Sequence, residues 1–269
     1  MKPSDKLNLD EILVLKWRGL STAQIQQTDI TAFDRMYLED PDEFDKLIDK
    51  ANDIFNRQEK IGIKTITIQD DRYPAKLRSI GKDAPVLIYC VGNIDLLNQF
   101  ETVTITGARI ADHSGLKVAY ELGQQYSEQG NVIVSGLELG CQFSAHKGCL
   151  DAKGKTMAIV GCGLDKISPR ASFNLHMGII EHGGLIVSEQ CIGKKADAGS
   201  MYNRCRILAG VSERTILAQS PSHSSYLHTM WCAQKYNREC YAVEFRKATE
   251  TNSGNRELIT KNYAQPLKI

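Results

Sequence analysis

The spacing of apolar positions changes near residue 60. Before it the chain reads at the helical period. In "LNLDEILVLKWRGL", Leu9, Ile12, Leu13 and Lys16 fall at helical spacing and the run stops at Gly19, after which Ser21 is placed to cap a second short helix. Asp40-Pro41 then starts a longer amphipathic stretch carrying Phe44, Leu47, Ile48, Ala51, Ile54 and Phe55. The pattern predicts a helical module over 1–60. From Lys64 the period shortens: "IKTITIQ" is strand-like, "DDRYPAKLRSI" is a turn with a short helix, and "APVLIYCVGN" is an apolar strand ending at Gly92. Beyond it, strands are expected at 102–106, 131–135, 156–161, 184–188, 214–219 and 240–245. Helices at about 114–129, 141–152, 171–182, 203–210 and 223–236 alternate with them. Strand and helix in regular alternation predict an α/β domain over 61–269, a parallel sheet with helices on both faces.

Composition adds bounds to this picture. A 269-residue chain with 42% hydrophobic residues can bury one sizeable core. No stretch approaches the ~20 apolar residues of a bilayer span, and the first residues lack an apolar signal core and a small-residue cleavage site, so a cytoplasmic location is expected. The eight cysteines form no CxxC pair and are read as reduced, buried thiols; no metal and no cofactor is expected. A net charge of +1 argues against bulk polyanion binding and leaves room for a local basic face. Residues 1–60 hold thirteen Asp/Glu against nine Lys/Arg, whereas 190–214 carries Lys194, Lys195, Arg204, Arg206 and Arg214 against Asp197 and Glu213. The acidic balance of the helical module favours packing or interaction over DNA contact.

Ligands of open α/β sheets sit at the carboxyl ends of the strands. The successive strands here run into Gly107 and Arg109, then Ser135, Gly136, Gly140 and His146, then Gly161 and Gly163, then Ser188 and Glu189. Small residues let backbone amides approach a phosphate, and Arg109 offers a planar cationic fork. A glycine in any one loop only turns a corner, but recurrence on four successive loops points to a site. The dinucleotide spacing GxGxxG fails, because Gly107-Ala108-Arg109 runs on to Gly115, and the P-loop lysine is absent. His146 is open to two readings, a general base or a structural histidine; no nucleophile and acid can be assigned to it.

The segments "DRYPAKLRSIGKDAPVLIYCVGN", "ITGAR", "IVSGLELGCQFSAHKGCL", "TMAIVGCGLDKISP", "GGLIVSE", "RCRILAGVS", "SSYLHT" and "NSGNRELIT" occur in order between about 70 and 267. In that order they resemble the DNA-processing protein A (Smf) family. The resemblance implies an extended Rossmann-like domain that binds single-stranded DNA and loads a RecA-type recombinase on it in DNA uptake, without a cofactor or catalytic turnover, and as a homodimer. The helical module is similar to one that precedes this domain in many members. The matching positions are Gly107, Arg109, Gly115, Ser135, Gly136, Gly140, His146, Asn174, Ser188, Glu189, Arg204, Arg206, Ala209, Gly210, Ser212 and Thr229. Departures from the family pattern are Gln142 for an acid, Cys205 for an asparagine between two arginines, Ser224-Ser225-Tyr226 for Ser-Gly-Ser, and Glu244-Phe245 for Pro-Gly. Loss of the asparagine removes a donor-plus-acceptor pair that reads a base edge. No winged helix follows within residue 269, so a function carried by that appendage is not expected.

Phosphate contacts are expected from Arg109, Lys147, Arg170, Lys194, Lys195, Arg204 and Arg206. Base stacking needs an exposed aromatic, for which Tyr202 and Phe173 are candidates, with core packing the expected fate of Phe173. Two other readings stay open. One is a nucleotide hydrolase of the related lonely-guy phosphoribohydrolase group, whose Pro-Gly-Gly-x-Gly-Thr loop is missing and whose place is not filled by Gly183-Gly184, which precedes a strand. The other is a diverged sensor of a small nucleotide.

Overall fold

The computed structural model of the chain describes residues 6–99 and 101–268. Helix α1 (Leu9–Trp17) opens on a capping box between Asn8 and Glu11 and buries four consecutive side chains, Ile12 to Leu15. Burial on that scale is worth roughly 2 kcal/mol per side chain. Helix α2 (Thr22–Gln27) is capped by Ser21, with Gln24 closing the box. Helix α3 (Ile30–Glu39), which the periodicity did not single out, leads into α4 (Pro41–Lys60), where Asp40 caps and Pro41 fills the first turn. Phe44, Ala51 and Gln58 of α4 are buried seven residues apart, so one seam faces inward. Phe33 and Phe44 meet edge to face with ring centroids 5.4 Å apart.

Strand β1 (Lys64–Thr67), the short α5 (Ala75–Arg78) and β2 (Leu87–Gly92) come next. The alternating units are β3 (Thr102–Thr106), α6 (His113–Glu128), β4 (Val132–Ser135), α7 (Cys141–Asp151), β5 (Thr156–Val160), α8 (Phe173–Glu181) and β6 (Leu185–Ser188). They continue through α9 (Ala198–Gly210), β7 (Arg214–Leu217), α10 (Leu227–Lys235), β8 (Glu239–Val243), α11 (Ser253–Thr260) and β9 (Gln265–Leu267). Among the described residues these strands form one nine-stranded sheet in the order β1-β2-β6-β5-β4-β3-β7-β8-β9.

The sheet is mostly parallel, with one departure from the expected all-parallel arrangement: β2 runs antiparallel to both β6 and β1. The link from β1 to β2 carries only a short helix and turns, so β2 returns beside β1 instead of crossing over. Helix α9 begins at Ala198, ahead of the expected 203, because Asp197 and Ser200 form a capping box before Gly199 can break the run. Helix α10 starts later than expected, at Leu227, and α11 and β9 complete the carboxyl end.

Alternation along the strands splits the core. Val132, Val134, Met157, Ile159, Leu185 and Val187 point to one face, where they join Ile12, Leu13 and Leu15 of α1 and Ile207 and Leu208 of α9 in a continuous apolar cluster. Ile133, Val103 and Ile105 point the other way, against α6 and α7. Ala158 and Ile186 share that second face with α8. Helices therefore cover both faces, and the helical module packs into the same core as the sheet.

Candidate nucleic-acid interface

Strand order reverses at β3, which sits between β4 and β7. A crevice opens at such a switch point, beyond the carboxyl ends of the strands. The Ala108 amide donates to the Gln219 carbonyl at 2.8 Å, tying the loop after β3 to the loop after β7. Asp112 locks the pair together. Its carboxylate caps α6 at the Gly115 amide and accepts from Ser114, from the Gln219 side chain at 2.9 Å and from the Thr251 hydroxyl at 2.6 Å. These hydrogen bonds hold its pKa well below the usual carboxylate range, against the opposing effect of burial. Gly140, at φ 86°, lies so close to the Ala108 and Arg109 carbonyls that a side chain has no room. The backbone under Arg109 is thus fixed from three sides.

On that rigid support Arg109 and Ile110 are exposed, Ile110 at 85%. Among the described residues the side chains of Arg109, Arg170, Lys195, Arg246 and Lys247 make no hydrogen bond or ion pair. All five lie on loops at the carboxyl edge: after β3, β5, β6 and β8. The Ser172 hydroxyl donates to the Leu137 carbonyl at 2.7 Å, which docks the segment carrying Arg170 and Asn174 against the loop after β4. Asn174 is exposed beside Phe173, which is 51% exposed and so does not pack into the core as expected. Tyr202 is 52% exposed, and its ring stacks on His228 with centroids 3.6 Å apart. Lys194 bridges Asp197 at 2.6 Å.

Other expected contacts go elsewhere. Ser135 donates to the Ile105 carbonyl at 2.6 Å inside the sheet. Gly107 and Gly115 pack under Cys141 and Gln219 and shape the loop from below. Lys147 lies two turns into α7 and pairs with Asp151 at 3.1 Å on the outer surface. Arg204 is 5% exposed and reaches inward over Gly136, where a side chain would strike its guanidinium. It donates to the Ile159 carbonyl at 2.9 Å, to Glu138 at 2.5 Å and to Gln142 at 3.3 Å, while its Nε has no partner among the described residues. Arg206, on another side of α9, donates to Glu189 at 2.8 Å and to the Asp83 carbonyl at 2.7 Å; Lys16 of α1 reaches the same Glu189 at 3.5 Å. Sequence reasoning missed Glu138, which sits between Gly136 and Gly140, and the Arg246-Lys247 pair; a carboxylate inside a phosphate-loop pattern was the available signal for the first.

His146 is fully buried. The Thr156 hydroxyl gives its single proton to the Ile133 carbonyl at 2.7 Å, so the contact of 2.7 Å between it and His146 requires the imidazole Nδ1 to donate. Burial pulls the pKa down from 6.5 to about 4. The unfolded chain takes up this proton near 6.5 and the folded chain only near 4. Stability present above 6.5 is therefore lost as pH falls through that window, by roughly 3 kcal/mol. A His146→Gln variant should lose less stability than the parent between neutral pH and pH 4 in denaturant titrations; equal acid sensitivity would show that the imidazole is not the titrating group.

Between α9 and the loops after β4 and β7 lies a cavity of about 300 Å³, lined among others by Glu138, Gln142, Met201, Tyr202, Arg204 and Tyr226. The Tyr226 hydroxyl donates to Glu138 at 3.3 Å, and burial, reinforced by that carboxylate, pushes its pKa up to about 12. A larger cavity, about 700 Å³, lies at the opposite edge near the starts of β8 and β9, away from the glycine loops. Among the described residues no group of three or more His, Cys, Asp or Glu side chains is placed to hold a metal, and no helix is long and apolar enough to cross a membrane.

A mostly parallel sheet, glycine-bearing loops at its carboxyl edge and, among the described residues, unpaired cations on those loops define a Rossmann-like protein with a cationic rim. The chain belongs to the DNA recombination-mediator protein A family, which it matches over residues 64–268. It is 36% identical over 179 residues to the DNA processing protein DprA of Streptococcus pneumoniae, covering 66% of this chain and 62% of that one. It is 32% identical to the Bacillus subtilis DprA, covering 68% and 61%, and 34% identical to the Synechocystis Smf protein, covering 66% and 45%. The chain thus spans between 45% and 62% of the length of these three relatives. In three dimensions it resembles the X-ray structure of the S. pneumoniae protein, with a TM-score of 0.75 at 29% identity over 99% of this chain and 92% of that one. It also resembles DNA processing protein A of Helicobacter pylori, whose structure concerns its single-stranded DNA binding mode, with a TM-score of 0.68 at 28% identity over 76% and 90%.

Proposed function

We propose that the carboxyl edge of the sheet binds single-stranded DNA through its phosphates, and that the protein acts as a recombination mediator that delivers such strands to a RecA-type recombinase. The observation that carries this reading is the set of exposed cations without a partner among the described residues on four loops of one edge, Arg109, Arg170, Lys195, Arg246 and Lys247, with the exposed rings of Tyr202 and Phe173 at the same edge. Cations that hold no partner in the fold are free to neutralise phosphates, and flat rings beside them stack bases without regard to sequence. The family relationship and the single-stranded DNA binding of the H. pylori protein support the same ligand. A homodimer, a cytoplasmic location and the absence of turnover on nucleotides belong to this reading. The hydroxyl beside the buried, neutral His146 is that of Thr156, which is itself buried, receives a hydrogen bond from the imidazole and gives its proton to the Ile133 carbonyl, so the histidine does not activate it.

Among the described residues the exposed, unpaired cations of this edge stand on loops and turns and not along a helix that could enter a duplex groove, so single strands are the preferred form. A fluorescent oligo-dT should bind more tightly at low than at moderate salt and resist displacement by a duplex of the same length, by mononucleotides and by cyclic dinucleotides. Equal competition by the duplex would remove the preference, and displacement by a mononucleotide would turn the assignment to the small-nucleotide sensor.

A further inference from the structure

A cavity of about 390 Å³ lies where the helical module meets β1, the outermost strand of the sheet. Its wall is made by Lys6 ahead of α1, Gln26 of α2, Ile68 and Gln69 after β1, Arg78 at the end of α5 and Gly81 in the turn that follows. The two charged side chains of this lining are both cationic, and among the described residues neither meets a carboxylate. Lys6 Nζ donates to the Gln69 carbonyl at 3.4 Å, and Arg78 Nη2 donates to the Asp70 carbonyl at 2.9 Å. Arg78 Nε and Nη1 hold no hydrogen bond among the described residues, and the guanidinium lies 5.6 Å from the centre of the Tyr73 ring. The Asp70 carboxylate, which feels the charge of Lys6, is already engaged by Arg72, whose backbone amide donates at 2.8 Å and whose guanidinium donates at 3.0 and 2.6 Å. The lining therefore carries two positive charges and no negative one.

We propose that this cavity binds a small phosphate monoester, with the phosphate between Lys6 and Arg78 and the organic body over Ile68. A phosphate brings three terminal oxygens, enough for the free side of the guanidinium fork and for the ammonium together; a carboxylate has two and leaves one cation unmatched. The carboxamides of Gln26 and Gln69 make no side-chain hydrogen bond among the described residues and can serve the hydroxyls of the body. At Gly81, with φ 64°, an added Cβ meets nothing within 4 Å, so the wall stays open on that side. The volume exceeds what a bare phosphate fills and stands near the small end of ligand pockets, which sets the size of the body at a few carbons. The site is not a stretch of the cationic rim, because its cations come from the segment before α1 and from α5, not from the loops after β3, β5, β6 and β8. Lys6 and Gln26 belong to the helical module and the other four residues to the sheet and its connections, so a bound ligand clasps the two together.

The test titrates the full chain, labelled with ¹⁵N, with glycerol 3-phosphate at constant ionic strength and follows the amide signals of Gly81 and of the Gln26 and Gln69 side chains. These signals should shift together and saturate with a dissociation constant of about 1 mM, the scale for a ligand of this size held by charge-assisted contacts. Glycerol at the same concentrations should move none of them. Lys6→Gln with Arg78→Gln should weaken binding about tenfold or more, and Lys6→Gln alone, which gives up only a long contact to one carbonyl, should weaken it about threefold. Arg109→Ala with Arg170→Ala should leave the titration as it is, and the Lys6 and Arg78 changes should leave oligo-dT affinity as it is. Absence of shifts at these three residues, equal shifts with glycerol, or shifts retained when both cations are replaced would overturn the site. Oligo-dT affinity lost with Lys6 and Arg78 would overturn the small ligand and make the cavity part of the strand's path. Neither outcome bears on whether Arg109 and Arg170 hold the strand.

Discussion

Replacing Arg204 with methionine lowers the unfolding free energy by roughly 3 kcal/mol, the low end for breaking a buried ion pair, because Glu138 keeps some access to water. Three acceptors lose their donor at once: the Ile159 carbonyl, the Glu138 carboxylate and the Gln142 amide oxygen. The melting temperature should fall by about 6–12 °C for a chain of this size. Glu138→Gln alone should cost less, since an amide oxygen still accepts. The double variant should be less destabilised than the sum of the singles, because the two residues share one interaction. Calorimetric melts of the four proteins test this; additive losses would mean that the pair is not coupled and that Arg204 is held by the backbone alone.

The opposite behaviour is expected of Arg109 and Arg170. Neither holds a partner among the described residues, so Arg109→Ala with Arg170→Ala should leave stability within about 0.5 kcal/mol of the parent. Affinity for oligo-dT at low salt should fall roughly ten- to a hundredfold, and the slope of log affinity against log salt should flatten by about 0.7 for each lost phosphate contact. Arg206→Ala serves as the contrast: its guanidinium already joins Glu189 and the Asp83 carbonyl, so its main loss should be in stability. Fluorescence anisotropy over a salt series separates the two. A double variant that is folded and keeps both affinity and slope would place the strand elsewhere on the molecule.

Much of the architecture was legible along the chain. The β-branched runs that became β3, β4 and β6 and the caps at Ser21 and Asp40 act locally, through alternation and through a side-chain oxygen on the first turn, and they appear where the pattern puts them. The capping box at Asp197 was equally local but was hidden by Gly199, whose low helix propensity the box and the packing of Arg204 and Cys205 outweigh. The direction of β2 was not legible, because an apolar strand reads the same whichever way its neighbour runs.

By itself the sequence determined that strands and helices alternate, that glycine-bearing loops come after the strands, and that cations stand near them. Only the tertiary structure decided which cations are available. Arg204 and Arg206 are two residues apart on α9, about 200° around its axis, so they had to face different surroundings. Nothing in that spacing says that Glu138 and Ile159 wait on one side and Glu189 and Asp83 on the other. Those partners come from elements as much as 123 residues away in the chain, brought together by the order of the strands. An arginine with buried acceptors around it becomes part of the scaffold, and one held above the scaffold on a fixed loop, as Arg109 is, stays exposed and unpaired among the described residues.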